Sequence, residues 1–267
     1  MSTMFLSTWR TGQRLVAVGM VLLLAACASV PRPAVEAPSA AAPPYDAWNR
    51  VLEKYVDAEG RVNFAGVAKD RADLDRFVAW IYDNGPKNQP GLFATKEAQL
   101  AYHINAYNAL AMHKVLERGI PRTLAGLRKV SFFFLGPVTV GTEPITLYKY
   151  ENEVVRKLKD ARMHVALNCM SVSCPRLPRE AFTPERLNEQ LDREARRFYN
   201  EDRNVQVDAT NRVLRISEIL KFYTEDFLAE AASLAAYVNK YRDNKVPEDY
   251  KVEFFPYDWT INRQPGT

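Results

Sequence analysis

The sequence predicts an α+β fold: a mainly helical single domain with a small antiparallel or mixed sheet and short hairpins. Three observations predict it. Apolar residues at helical spacing dominate the chain. The segments that alternate instead are short and flank turn residues. The composition, 267 residues with 47% hydrophobic and 25% charged side chains, is that of one ordinary globular unit plus a short extra segment.

Taken in order, Tyr45 to Val56 carries Trp48, Val51, Leu52 and Tyr55 on one helical face. Gly60 breaks this helix, and Val62-Asn63-Phe64 reads as a short extended piece. Arg71 to Tyr82 repeats the pattern with Leu74, Phe77, Val78 and Ile81, and Asn84-Gly85-Pro86 ends it. Thr95 to Arg118 is the longest helix, with Thr95 as N-cap and Gly119 after its end. Its centre, AYHINAYNALAMH, is apolar nearly all round, as in a helix that runs through a core. Val138 to Leu147 alternates around Gly141-Thr142 and predicts a hairpin. Leu147 to Lys159 reads as helical and Met163 to Leu167 as a buried strand. Thr183-Pro184 is expected to open a helix with Pro184 in its first position and Leu187, Leu191, Ala195 and Phe198 facing inward. Val205-Val207 and Val213-Ile216 flank Asn211 as a second hairpin. Tyr223 to Val238 is expected to be helical and Val252 to Phe255 extended.

The first 44 residues read differently. Arg10 and Arg14 precede a charge-free apolar run from Leu15 to Ala26. Twelve residues are too few for a spanning helix, which needs about 20, and the order basic, apolar, small is that of a secretory signal. The run closes with Leu24-Ala25-Ala26-Cys27, which resembles the bacterial lipobox. Residues 1–26 are therefore expected to be a removed signal peptide and Cys27 the acylated end of the mature chain. That places the protein in the bacterial cell envelope, held to a membrane through lipid. Ala28, where an aspartate would favour the inner membrane, points to the outer membrane and a domain facing the periplasm. Residues 27–44, rich in alanine and proline, read as a tether reaching up to about 50 Å at ~3.1 Å per residue, and residues 45–267 as the folded domain. The net charge of +4 falls to +2 without residues 1–26. No basic block stands out, so nucleic acid is excluded as a partner; an envelope protein or peptide is the expected ligand class.

The segment richest in chemistry is His164-Val165-Ala166-Leu167-Asn168-Cys169-Met170-Ser171-Val172-Ser173-Cys174-Pro175. It holds one of three histidines and both cysteines that follow Cys27. Three readings compete. In the first, Cys169 is a nucleophile, His164 its base, Glu151 the carboxylate that orients the base, and backbone N–H groups of residues 169–173 the oxyanion donors. In the second, Cys169 and Cys174 form a structural disulfide in an oxidising compartment. In the third, both thiols are buried and inert. Asn105 and Asn108 lie three apart on one face of the apolar helix. They either tie the helix to loop backbone or, with Asn168, Ser171 and Ser173, line a binding site. No Walker loop, GxGxxG, HExxH or EF-hand pattern occurs, and no metal or nucleotide cofactor is indicated.

The combination YDAWNRVLEKYV, NF, AYHINAYNAL, ITLYKYENEVVRKL, ARMHVALNCMSVSCPRL, LNEQLDREARRFYN and SEILKFYTEDF resembles the domain of unknown function 547 family over about residues 45–245. The NCxSxSCP stretch after a histidine is the specific part. The resemblance implies a single α+β domain of the kind found in bacterial exported proteins and in plant and animal fusions, with no established activity. It points to Asn105, Asn108, Glu151, His164, Asn168, Cys169, Ser171, Ser173, Cys174 and Pro175. Two positions depart from the family's pattern. His103 stands where a tryptophan is usual, and Asn152 where a histidine commonly follows the glutamate. A base role is thereby shifted to His164 or His103. The resulting expectation is a thiol-dependent acyl transferase or hydrolase using Cys169 and His164; the alternative is a non-catalytic binding or scaffolding lipoprotein stapled by Cys169–Cys174.

Overall fold

The structure, a computed structural model, describes residues 29–267. The signal segment and Cys27 lie outside these residues. The segment read as a free tether does not hang loose where it is described. Val30 is buried, and its N–H donates to the Pro137 carbonyl at 2.9 Å. Arg32 clamps Asp83 with two nitrogens at 2.6 and 3.2 Å. Trp80 Nε1 donates to the Ser39 carbonyl at 3.2 Å. His113 receives an Arg71 N–H on Nδ1, which leaves Nε2 to donate to the Pro31 carbonyl at 3.2 Å. Residues 30–39 are thus laid against the domain, because proline-rich backbone keeps unpaired carbonyls that side-chain donors can take.

Helices α1 (Tyr45–Tyr55), α2 (Phe64–Lys69) and α3 (Ala72–Asp83) follow. Val62 is extended, bridged to Val56 and Arg263, and Asn63 caps α2 by accepting the Gly66 N–H at 2.8 Å. Trp48 of α1 stacks on Phe77 of α3 at 5.8 Å. Helix α4 (Lys96–Glu117) is buried from Ala98 to Leu116 apart from Gln99. Thr95 accepts the Ala98 N–H as expected, and Gly119 takes the left-handed φ of +70° that ends the helix. Helix α5 (Leu127–Phe133) leads to the hairpin β1 (Val138–Val140) and β2 (Glu143–Ile145), paired in the predicted register around Gly141-Thr142.

The predicted helix from Leu147 onward is helical in three different geometries: α6 (Leu147–Lys149), a π turn over Tyr150–Val154 and a 3₁₀ turn over Val155–Leu158. The predicted strand Met163–Leu167 does not form. Ala161–Val165 is a 3₁₀ turn with Asp160 accepting the Arg162 N–H. A short apolar run buried all round has no periodicity to separate the two states. Helix α7 (Leu187–Asn200) buries the predicted face, but Pro184 stays in the preceding turn, where Gln190 reaches back to accept the Thr183 N–H.

Strands β3 (Val205–Asp208) and β4 (Val213–Ser217) form the second predicted hairpin, and β5 (Lys251–Phe255) joins β4 in parallel. The single helix expected over Tyr223–Val238 is split: α8 (Ile219–Phe222), α9 (Thr224–Leu228) and α10 (Leu234–Tyr241). Tyr223 leaves the helical region between the first two, and Ser233 caps the third by accepting the Ala236 N–H. The result is the expected α+β domain with two small sheets. Among the described residues, no helix is long and apolar enough to cross a membrane.

Two apolar clusters result. The larger surrounds α4; the smaller lies between α7, the three-stranded sheet, α9 and α10. The 3₁₀ turn stitches them together: Met163 and Leu167 pack into the first, Ala161 and Val165 into the second. His164 therefore sits at the seam.

Lys114, on α4, is fully buried and donates to the Leu135 and Gly136 carbonyls. Burial pushes its ammonium down to about 7. Between about pH 7 and 10.5 the unfolded chain holds a proton that the folded chain has released, so stability rises with pH across this window. Denaturant unfolding at several pH values is expected to show this rise, and Lys114→Met is expected to flatten it. An equal slope in the variant would refute the assignment.

Candidate active site

The site is built on the loop 168–175. The Asn168 amide closes its base: Oδ1 accepts the Met170 N–H and Nδ2 donates to the Pro175 carbonyl, both at 2.7 Å. Met170 takes φ +72°, which turns the chain sharply. Helix α4 holds the start of the loop, because Asn108 donates to the Ala166 carbonyl at 3.0 Å and accepts the Asn168 N–H at 2.7 Å. Asn105 does the same for Phe182, donating to its carbonyl at 2.7 Å and accepting its N–H at 3.0 Å. The asparagines tie the core helix to loop backbone. Each amide spends its oxygen and one N–H on this, and none of Asn105, Asn108 and Asn168 lines the cleft that holds the cysteines. Ser173 is also committed, accepting the Asp258 N–H at 2.8 Å.

The turn brings Cys169 and Cys174 together. Their sulfurs are 2.9 Å apart, yet both cysteines are free thiols, so the disulfide allowed by the sequence is not formed here. Both side chains are buried. The Cys174 sulfur accepts the Cys169 N–H at 3.1 Å and has three further hydrogen-bond partners, the Tyr257 hydroxyl at 3.2 Å, the Ser171 hydroxyl at 3.4 Å and the Cys169 thiol, while Ser171 itself donates to Tyr257 at 3.1 Å. Burial alone would raise the Cys174 thiol; hydrogen bonds from Cys169, Ser171 and Tyr257 outweigh it and bring it down to about 6. Cys169 moves the other way, well above the usual thiol range, because it is the donor within the pair and is itself desolvated. The hydrogen bond between the sulfurs favours a state with one thiolate in the pair, and the hydrogen-bond partners around Cys174 favour placing it there.

His164 is buried and lines the same cleft as Cys169, Cys174 and Glu151 without a hydrogen bond to either sulfur. The carboxylate that orients it is Asp226, not Glu151. Asp226 Oδ2 accepts the Nε2–H at 2.7 Å, and Nδ1 has no partner. Arg156 grips the same carboxylate with two bonds of 2.7 and 2.8 Å, and Tyr223 stacks flat on the imidazole with centroids 4.0 Å apart. Partial burial would raise the Asp226 carboxyl; His164 and Arg156 overcome that and hold it well below the usual carboxylate range.

Glu151 has a separate role. Tyr107 Oη donates to it at 2.8 Å, and the Tyr223 hydroxyl donates to its other oxygen. The π turn that carries Glu151 also presents Tyr150 to His103, at 2.8 Å from Nδ1. Burial pushes His103 down to about 3, which keeps it neutral and away from the thiols' cleft.

The expected oxyanion donors of residues 169–173 are largely taken. The N–H groups of Cys169, Met170, Val172 and Ser173 are bonded to Cys174, Asn168, Thr260 and Asp258. The hydroxyls that line the cleft are engaged as well, Tyr107 and Tyr223 on Glu151 and Tyr257 beside the two sulfurs. The cleft is narrow, about 70 Å³ open to water-sized guests, and is closed in by Phe133, Phe222 and Trp259. That is room for a few waters or a slender group. Among the described residues, no group of three or more His, Cys, Asp or Glu side chains is placed to hold a metal ion.

Sequence reading did not find Asp226, Arg156 or Tyr257 as parts of this site. Tyr223 and Asp226 stand out in SEILKFYTEDF only as a packed corner, sixty residues from the histidine they support, with no local spacing to connect them.

Asp226 gives a second pH-dependent prediction. A carboxylate whose folded pKa is depressed stabilises the fold above its ordinary range near pH 4, and that stability is lost as pH falls toward the folded pKa. Denaturant midpoints of the parent are expected to fall between pH 5 and 2.5. Asp226→Asn is expected to start lower at pH 6 and fall less steeply. A parallel shift of the whole curve would contradict the role given to this ion.

Comparison with curated proteins returned no match, and comparison with solved structures returned none. A family model, described as protein of unknown function, DUF547, matches residues 93–199. The matched stretch contains Glu151, His164, Cys169 and Cys174 but ends before Tyr223, Asp226 and Tyr257. The match spans α4, the π turn, the cysteine loop and α7 up to Tyr199, so over about two fifths of its length this chain is similar to that family.

Proposed function

We propose that the protein is an envelope lipoprotein whose cleft carries out thiol-dependent acyl transfer or hydrolysis. One observation carries this reading: two free thiols 2.9 Å apart line the same cleft as a histidine with one nitrogen on a carboxylate and the other unpartnered. The parts of a thiol acyl-transfer site are a thiolate, a base oriented by an anion, and donors for the developing oxyanion.

In this reading Cys174, rather than Cys169, is the nucleophile, since it is the sulfur that holds negative charge near neutral pH. Its electron pair forms the bond to the acyl carbon, and the leaving group departs with a proton from Cys169. For hydrolysis, His164 Nδ1 takes a proton from water, the hydroxide attacks the thioester, and Cys174 leaves as thiolate. The proton on His164 returns to Cys169. Tyr257, whose hydroxyl lies 3.2 Å from the Cys174 sulfur, turns from the thiolate to the oxygen that gains charge. The chain itself is held to the outer membrane through lipid on Cys27 and faces the periplasm, with an envelope protein or peptide as acyl donor or acceptor.

A second reading is favoured by the 2.9 Å separation itself. In an oxidising compartment such a pair closes to a disulfide, and the domain is then a stapled, non-catalytic binding or scaffolding lipoprotein. Incubation of the protein with a small acyl thioester, followed by peptide mass mapping, separates the two. The catalytic reading predicts an acyl adduct on Cys174 that disappears in Cys174→Ser. No adduct on either cysteine, with both found oxidised to each other, supports the staple.

A further inference from the structure

Helix α5 faces the wrong way for a water-exposed helix. Phe132 and Phe133 are buried, and Leu127, Val130 and Phe134, at positions i, i+3 and i+7, form a stripe on the opposite, solvent side. Leu127 is 88% exposed, and Val130 and Phe134 are 46% and 44% exposed. Tyr148 extends the stripe by stacking on Phe134 at 4.5 Å. Basic groups flank it: Arg128 is exposed, and Lys129 lies 4.1 Å over the Trp259 ring. Single exposed apolar residues are ordinary; a contiguous patch rimmed by cations marks a contact surface.

We propose that this face docks on an anionic lipid bilayer. The path of the chain argues for that occupant over a protein. Val30 is bonded to Pro137 at 2.9 Å. Pro137 is three residues from Phe134, and Val30 is three residues from Cys27. At no more than about 3.6 Å per residue, each step spans about 11 Å. The path from Phe134 to residue 27 is therefore at most about 25 Å, and a lipid attached there brings the bilayer to this side of the domain. The docked segment 30–39 removes the slack that a free tether would have given. Apolar side chains level with headgroups and cations beside them are the composition of an interfacial helix, and one such contact adds a second signal to acyl anchoring. Phe133, Trp259 and the exposed Phe222 line the thiol cleft, so the docking face borders the site.

This inference rests on the lipoprotein reading, and the test separates the two. The full chain, in parent form and as Phe134→Trp or Val207→Trp, is mixed with vesicles of phosphatidylethanolamine and phosphatidylglycerol that carry brominated acyl chains. Val207 is an exposed control on β3. The expected result is an emission excess for Phe134→Trp over the parent that shifts to the blue and is quenched at least twofold, with Val207→Trp unchanged. Vesicle flotation and the mass of the N-terminal peptide report acylation independently. An acylated protein that floats while Phe134→Trp stays unquenched overturns the docking face and leaves the anchor. Quenching without acylation keeps the docking face and removes the anchor. A blue shift that grows with protein concentration in the absence of vesicles assigns the stripe to a second copy of the chain and overturns the proposal.

Discussion

Cys174→Ser is expected to abolish the rapid alkylation of this protein at neutral pH, while Cys169→Ser preserves it. The asymmetry follows from the hydrogen bonds. In Cys169→Ser the Cys174 sulfur keeps the residue 169 backbone N–H, Tyr257 and Ser171, and the new hydroxyl can replace the lost thiol donor. Its thiolate survives. In Cys174→Ser the remaining Cys169 sulfur keeps its burial, its two hydroxyl neighbours at 3.1 and 3.7 Å and the new hydroxyl, but it has no backbone N–H among its partners. The reaction with iodoacetamide, followed against pH, should then lose its inflection near pH 6, and the remaining thiol should ionise only above the ordinary thiol range. Intrinsic nucleophilicity rises with thiol pKa and partly offsets the smaller thiolate fraction, so the pH profile is a sharper readout than the rate at one pH. If Cys174→Ser kept the low inflection and Cys169→Ser lost it, the assignment of the two sulfurs would be reversed.

Asn108→Leu is expected to destabilise the protein by about 2–5 kcal/mol without touching the thiols directly. The amide makes two buried bonds, and its loss leaves the Ala166 carbonyl and the Asn168 N–H unpaired in a place water cannot reach. For a domain with an ordinary margin of 5–15 kcal/mol this is a large fraction. Because the same bonds fix the start of the cysteine loop, the variant should also slow thiol alkylation by exposing the pair to several loop conformations. Urea unfolding checks the first effect. A change under about 0.5 kcal/mol would mean that the loop is held elsewhere.

The parts of the fold legible in the sequence are those where one periodicity is unopposed. Helix α4 is capped at both ends and apolar nearly all round, and its extent follows from Thr95 and Gly119. Both hairpins announce themselves through their turns. Reading failed where the chain is buried on all sides or changes helical geometry. Met163–Leu167 is apolar without alternation, so a 3₁₀ turn and a strand look alike. The segment 147–158 keeps helical spacing on average while passing through a π turn. The proline-rich stretch 30–39 shows no apolar period, and nothing local tells that Arg32, Trp80 and His113 will seize its backbone.

The site was legible to the same degree. Cys169, Cys174 and His164 come from one dense segment, and the structure does bring them to one cleft with Glu151. Their roles were not legible. Which sulfur receives the donors depends on Tyr257, more than eighty residues away, and which carboxylate meets the histidine depends on Asp226. Side chains supplied across such distances by the tertiary fold leave no spacing in the sequence.

The most direct test of a single thiolate in the cysteine pair is an ultraviolet titration of thiolate absorbance on the reduced parent protein. The account predicts one thiolate appearing with a midpoint near pH 6 and the second only above the ordinary thiol range, if at all before unfolding. Two thiols ionising together between pH 8 and 9 would contradict it.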